Sequence, residues 1–106
     1  MTVIEKDIDR FIAELTRLFH PEKVILFGSY AKGNVKPDSD VDILVLMDYK
    51  GKASLKAFEI RKAVKRHFPL DLIVRRPKDL SRRMMLGDPF FKDIMEYGRI
   101  VYERPR

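Results

Sequence analysis

Residues 28–45 of this 106-residue chain read GSYAKGNVKPDSDVDILV. The segment opens with a Gly-Ser pair after an apolar run at residues 24–27. It then passes through a polar loop and ends where Asp40 and Asp42 alternate with apolar residues. Side chains two positions apart on a β-strand point to the same face of the sheet. The alternation therefore predicts that both carboxylates are aimed at one point at the start of a strand.

Two carboxylates at one point need a cation, because like charges held together out of water are costly. Mg²⁺ fits, since it binds carboxylate oxygens and substrate phosphates together. Asp71 offers a third carboxylate inside the short apolar stretch LDLIV, residues 70–74. If that strand pairs with the first, Asp40, Asp42 and Asp71 would hold two Mg²⁺ ions roughly 3.5–4 Å apart, an arrangement suited to phosphoryl or nucleotidyl transfer.

The Gly-Ser pair has the properties of a phosphate-binding turn. Gly28 permits a tight turn and close backbone approach, and the Ser29 hydroxyl can donate a hydrogen bond to a phosphate oxygen. Backbone N–H groups at the start of the following helical turn favour an anion, and Lys32 would add a positive charge. Gly28 and Gly33 have the glycine spacing of a P-loop, but the next two residues are not the Lys and Ser or Thr which that motif requires.

Composition predicts one domain over residues 1–106, with no cysteine for disulfides or thiolate metal sites. The net charge of +6 favours polyanionic partners. It is equally compatible with a well-solvated surface, because many acids are interleaved with the bases. No apolar run approaches membrane-spanning length, and the N-terminal residues do not resemble a signal peptide. We therefore expect a cytoplasmic protein without a membrane partner.

Apolar spacing predicts the secondary structure. Helices are expected over residues 4–19, 29–32, 55–67, 77–85 and 90–97, and strands over residues 24–27, 41–47, 70–74 and 100–102. Ser54 is the predicted N-cap of the third helix, and Gly98 the cap that ends the last one. The expected fold class is α+β (a two-layer α/β arrangement), with a small mixed β-sheet and helices mainly on one face.

The Gly28-Ser29 pair, ten intervening residues and then Asp40-Val41-Asp42 resemble the signature of the polymerase-β-like nucleotidyltransferase superfamily. In its short length and in the sequence Ser39-Asp40-Val41-Asp42, the chain resembles the minimal nucleotidyltransferase branch of this superfamily. That branch includes the MntA-type antitoxins. The similarity covers most of the chain, from the strand at residue 24 to the helix that ends near Gly98. It implies a polymerase-β-like nucleotidyltransferase core.

The resemblance also implies roles for the site residues. Asp40 and Asp42 would bind both metal ions, Asp71 would act on the acceptor hydroxyl as base or metal ligand, and Gly28 and Ser29 would hold the nucleoside triphosphate. The implied reaction transfers AMP from ATP to a hydroxyl and releases pyrophosphate.

Lys32 stands where many members of the superfamily carry arginine. A lysine supplies a point charge to the triphosphate instead of the two-pronged contact of a guanidinium group.

Larger relatives carry an extra domain that holds the acceptor, and no such segment follows Arg106 here, so we expect the acceptor to come from a homo- or hetero-oligomeric partner. By resemblance, that partner is a HEPN-domain toxin whose tyrosine receives AMP. Five apolar residues could form a partner surface, although core packing is their favoured use: Met84, Met85, Phe90, Phe91 and Tyr97.

Two other functions remain open. The chain could be a non-enzymatic antitoxin, a binding module that blocks its partner by contact and keeps a vestigial nucleotide site. It could also bind nucleic acid, given its basic balance. A nucleic-acid partner is disfavoured, because no aromatic residues interleave with Arg75-Arg76 and Arg82-Arg83 as they do in proteins that bind single strands.

Overall fold

The computed structural model describes residues 3–105. Over this range the chain forms five helices and four strands. In chain order they are α1 (Val3–Phe19), β1 (Lys23–Phe27), α2 (Ser29–Lys32), β2 (Val41–Leu46), α3 (Ala53–Ala63), β3 (Leu70–Arg75), α4 (Pro77–Met85), α5 (Pro89–Tyr97) and β4 (Arg99–Glu103).

The four strands form one mixed sheet in the order β3-β2-β1-β4. Strand β1 runs antiparallel to both β2 and β4, whereas β2 and β3 are parallel. Parallel neighbours need a crossover connection, and α3 supplies it. In the β2–β3 register Asp42 lies directly beside Asp71. The predicted mixed sheet is confirmed, and it brings together the two strands that carry the acidic residues.

The two longest helices, α1 and α3, pack on one face of the sheet. On this face lie the alternate residues Val41, Ile43 and Val45 of β2, all fully buried against Phe11 and Ile60 from the helices. Burial of this apolar surface, at roughly 25 cal/mol per Å², is the main source of stability. The prediction that the Val/Ile face of β2 meets the helices is confirmed.

The opposite face is covered in part by α4 and α5. Leu44 and Leu46 of β2 pack here against Leu80, Phe91 and Ile94. Asp42 belongs to the same face by strand alternation, but it lies at the beginning of β2, beyond this second apolar cluster. The short helices thus leave open the end of the sheet where the carboxylates lie.

Helix α3 differs from its prediction at both ends. It begins at Ala53 after the N-cap Lys52, two positions earlier than predicted, because Gly51 turns the chain at φ 82° directly before that cap. It ends at Ala63 instead of His67, since Val64 is extended (φ −114°, ψ 114°) with its side chain fully buried. Packing of a β-branched residue in the core outweighs the helical pattern here.

None of the helices within residues 3–105 combines the length and the apolar character needed to cross a membrane.

Candidate active site

Gly28 forms the turn between β1 and α2 and lies against the carboxylate of Asp42. Its backbone (φ 71°, ψ −148°) is a conformation that essentially only glycine adopts. A Cβ atom at this position would overlap Asp42 Oδ2 and lie 3.1 Å from Asp42 Cγ. The turn and the acidic strand, fourteen positions apart in sequence, therefore meet with no room for a side chain between them.

Three carboxylates share the edge of the site beside this turn. Asp42 and Asp71 are paired in the register of the parallel strands β2 and β3, whose backbones lie roughly 4.8 Å apart. Asp40 precedes Asp42 by two positions. Burial raises the pKa of Asp42, and the negative charges of Asp71 and then Asp40 raise that pKa further. Asp42 is half-buried, while Asp40 and Asp71 are exposed. The charges of Asp71 and Asp40 thus act on Asp42 at a partly exposed edge of the sheet.

The chemistry of these donors fits a hard divalent cation. Carboxylate oxygens are preferred ligands of Mg²⁺, and a cation would relieve the repulsion that raises the pKa of Asp42. Among residues 3–105, no three acidic or imidazole side chains are gathered into a ready-made metal cluster. Two Mg²⁺ ions held by Asp40, Asp42 and Asp71 remain a prediction.

Ser29 is the first residue of α2, a helix of a single turn. The N–H groups of Ala31 and Lys32 both donate to the Gly28 carbonyl, at 3.1 and 3.0 Å. These two donors are therefore already used within the turn. The Ser29 hydroxyl and the earlier N–H groups of the turn are the donors left for a phosphate, and their role in binding one stays a prediction.

Lys32 points toward α5. Its Nζ atom lies 3.3 Å from Oδ2 of Asp93 and 5.4 Å from the centre of the Tyr97 ring. The ion pair is largely exposed, and such pairs contribute about 0–1 kcal/mol. Moving Lys32 from Asp93 to a bound phosphate would therefore cost little. Nothing in the local sequence pattern indicated Asp93, because 61 positions separate the two residues.

The five candidate partner-surface residues divide between core and surface. Phe91 is buried and Met84 packs against it, so the prediction of core packing is right for these two. It is wrong for Met85, Phe90 and Tyr97, which are 88%, 48% and 56% exposed. The ring of Phe90 stands edge-on to Phe27 with centroids 6.0 Å apart.

This places an aromatic rim beside the carboxylates. Phe27, on which Phe90 packs, is the β1 residue paired with Asp42. Tyr97 lies under Lys32, the last residue of α2. The site therefore has an acidic centre, a glycine turn on one side and exposed aromatic rings on another. Carboxylates on adjoining strands beside a glycine turn are the parts of a phosphoryl- or nucleotidyl-transfer site.

Comparison with known proteins assigns the family. Residues 8–102 match the family described as "Nucleotidyltransferase domain", and the chain belongs to it. "Putative protein adenylyltransferase MJ0604" of Methanocaldococcus jannaschii is 29% identical over 104 residues, covering 92% of this chain and 97% of the relative. "Putative protein adenylyltransferase MJ1305" of the same organism is 28% identical over 105 residues, covering 92% and 70%.

Two solved structures share the fold. A crystal structure of a "putative nucleotidyltransferase" from Sulfolobus solfataricus has a TM-score of 0.68 at 19% identity, covering 95% of this chain and 81% of the other. A crystal structure of a toxin-antitoxin with AMP-PNP has a TM-score of 0.58 at 22% identity, covering 91% and 73%. They confirm the small mixed sheet with its helices as a nucleotidyltransferase fold.

We expect Asp42 to make the metal-free protein less stable as the pH rises. Its pKa in the folded state lies above the unfolded value of about 3.9, so the folded chain binds more protons between those two values. The free energy of unfolding therefore falls with rising pH across that interval. Asp42→Asn removes this titration. It should be more stable than wild type near about pH 7, with the gap closing below about pH 4.

Urea unfolding of wild type and Asp42→Asn across this pH range, in EDTA, measures the effect. Asp9→Asn, at an exposed position on α1, is the control for loss of one negative charge. Equal stability of wild type and Asp42→Asn at every pH would show that neither burial nor the acidic neighbours raise the pKa of Asp42.

Proposed function

We propose that this protein is a Mg²⁺-dependent adenylyltransferase that transfers AMP from ATP to a tyrosine hydroxyl of a HEPN-domain toxin, and so acts as its antitoxin. The observation that carries the proposal is the position of Asp42, pressed against Gly28 on one side and paired with Asp71 on the other. Relatives named "Putative protein adenylyltransferase" and the fold shared with a toxin-antitoxin structure support it.

The proposed reaction forms one bond and breaks one. The acceptor oxygen attacks the α-phosphorus of ATP, the bond from that phosphorus to the bridging oxygen breaks, and pyrophosphate leaves. Asp71 takes the proton of the acceptor hydroxyl, and Asp40 and Asp42 would hold Mg²⁺. When bound, Mg²⁺ neutralises the charge that develops on the phosphate oxygens.

Gly28 and Ser29 position the nucleotide in this scheme. The bare backbone of Gly28 allows the phosphates to come close to Asp42, and the Ser29 hydroxyl donates to a phosphate oxygen. Lys32 leaves Asp93 to meet the leaving pyrophosphate. Holding the reacting groups in place in this way can account for about 7–11 kcal/mol of a barrier.

A protein acceptor suits the aromatic rim. Phe90 and Tyr97 are about half exposed; Phe90 packs on Phe27, the β1 residue paired with Asp42, and Tyr97 lies under Lys32. Exposed aromatic side chains are enriched where proteins bind proteins. We propose that the acceptor protein packs on this rim and thereby presents its hydroxyl to Asp71.

Labelled ATP tests the reaction directly. The protein is incubated with Mg²⁺ and the product of the adjacent gene, once with ATP labelled at the α-phosphate and once with ATP labelled at the γ-phosphate. We expect label on the partner from the α-phosphate alone, and none in EDTA. Label from the γ-phosphate would mean phosphoryl transfer, and label from neither would contradict the proposed enzyme.

Neutralisation by contact is the second candidate function, and the exposed rim favours it. In cells that express the toxin, Asp40→Ala/Asp42→Ala should fail to protect if transfer is needed. Full protection by this variant, together with loss of protection in Phe90→Ala/Tyr97→Ala, would favour the binding module.

A further inference from the structure

A second concave site lies away from the carboxylates. A cavity of about 620 Å³ opens between the loop after β2, the end of β3 and helix α4. Arg75 lines it from the same strand as Asp71 and, by alternation, from the same face of the sheet. Four residues along a strand span roughly 13 Å, so this cavity is distinct from the Gly28 turn.

Positive charge dominates the lining of this cavity. One carboxylate, Asp79, contributes to it, and its Oδ2 lies 2.9 Å from Nε of Arg76. That hydrogen bond lowers the pKa of Asp79. The carboxylate therefore stays ionised but offsets only one charge. The cationic residues of the lining are Lys52, Arg75, Arg76, Arg82 and Arg83.

Two of the guanidinium groups are held on aromatic rings. Arg75 lies 5.7 Å from the centre of the Phe91 ring and donates to the Val74 carbonyl at 2.8 Å. Arg76 lies 5.1 Å from the centre of the Tyr49 ring. Stacked guanidinium groups lose less freedom when they bind, and their planar forks match phosphate oxygens. The guanidinium groups of these two arginines are therefore already oriented to donate hydrogen bonds to a phosphate.

The remaining cations are less restrained. Arg83 reaches Asp88 only at 3.9 Å. Among residues 3–105, neither Lys52 nor Arg82 is part of an ion pair. The N-termini of α3 and α4 also lie at this cavity. The N-cap residue of neither helix makes a side-chain hydrogen bond to the first turn. Both helices thus add partial positive charge to the same place.

We propose that this cavity binds a small molecule carrying two or more linked phosphates, such as the polyphosphate chain of a nucleotide, independently of the Gly28 site. The volume lies within the roughly 300–1,000 Å³ typical of small-molecule sites. Five cationic side chains line one concavity of a size that suits a small molecule. The inference does not depend on the proposed transferase activity.

Calorimetric titration with inorganic tripolyphosphate, in EDTA so that no metal bridges it to the carboxylates, tests the proposal. Arg82→Gln/Arg83→Gln changes exposed residues of α4 and should weaken binding by about tenfold or more, because charge-assisted contacts to phosphate are lost. Lys6→Gln/Lys65→Gln removes the same charge from exposed positions elsewhere and should change binding less than twofold. Asp42→Asn should bind as wild type does.

Four results would overturn the proposal: no binding to wild type, equal weakening in both double variants, loss of binding in Asp42→Asn, or tighter binding of a ten-nucleotide RNA that is lost in Arg82→Gln/Arg83→Gln. The first would mean that the cavity does not bind polyphosphate, and the second that binding depends only on the overall charge of the protein. The third assigns the binding to the carboxylate site, and the fourth makes the occupant nucleic acid. Competition by ATP but not by adenosine would support recognition through the phosphates.

Discussion

Asp42→Asn should lower AMP transfer by about a hundredfold or more while leaving the protein folded. The substitution keeps the shape of the side chain against Gly28 but removes the central charge of the acidic edge. In the proposed mechanism Asp42 is a metal ligand, whose loss would remove several kcal/mol of transition-state stabilisation, and each 1.4 kcal/mol is about tenfold in rate. Single-turnover transfer of label from the α-phosphate of ATP measures the change.

Two further variants make this result specific. Asp9→Asn has the same change of charge on the exposed side of α1 and should transfer AMP at the wild-type rate. Asp71→Asn should reduce transfer while nucleotide binding persists, if Asp71 acts on the acceptor. AMP transfer by Asp42→Asn at the wild-type rate would show that the Asp42 carboxylate is not needed for the reaction.

Gly28→Ala is expected to cost more than about 3 kcal/mol of stability and to abolish transfer. The backbone conformation alone costs of order 1–3 kcal/mol for a residue with a side chain. The added methyl group would also overlap Asp42 Oδ2, so either the turn or the carboxylate must move. Urea unfolding and the transfer assay report the two effects separately.

Gly33→Ala is the matched control within the same loop. Gly33 also has a positive φ, 80°, but a Cβ atom there meets nothing within 4 Å. This variant should cost only about 1–2 kcal/mol and keep its activity. In Gly28→Ala/Asp42→Ala the overlapping carboxylate is gone, so the stability should recover by the cost of the overlap while the cost of the Gly28 backbone conformation remains. Equal losses in the two single glycine variants would show that contact with Asp42 is unimportant.

Much of the fold could be predicted because its patterns are local. Alternation at residues 41–46 assigns one face of β2 to the core and places Asp42 on the other. Helices α2 and α4 match their predicted bounds, since a Gly-Ser turn precedes one and Pro77 begins the other. The end of α3 could not be predicted, because burial of Val64 depends on neighbours distant in sequence.

The site was predictable as a set of residue types and less so as an arrangement. The spacing from Gly28 to Asp42 indicated a shared site. The position of Asp71 beside Asp42 could not be deduced from the sequence, because it depends on the pairing of β3 with β2. The attachment of Lys32 to Asp93 and Tyr97 was not foreseen, because residues on α5 approach α2 only through tertiary packing. The same is true of the arginine-lined cavity, whose five cations come from three segments of the chain.

The order of the strands has a consequence for the third carboxylate. Asp71 lies on β3, which has a neighbour on one side only, so its place depends on the six register pairs that β3 shares with β2. Amide hydrogens of an outer strand usually exchange sooner than those of an inner one. On warming, the alignment of Asp71 should therefore loosen while Asp42 stays fixed between two strands, and catalysis would fade before the protein melts.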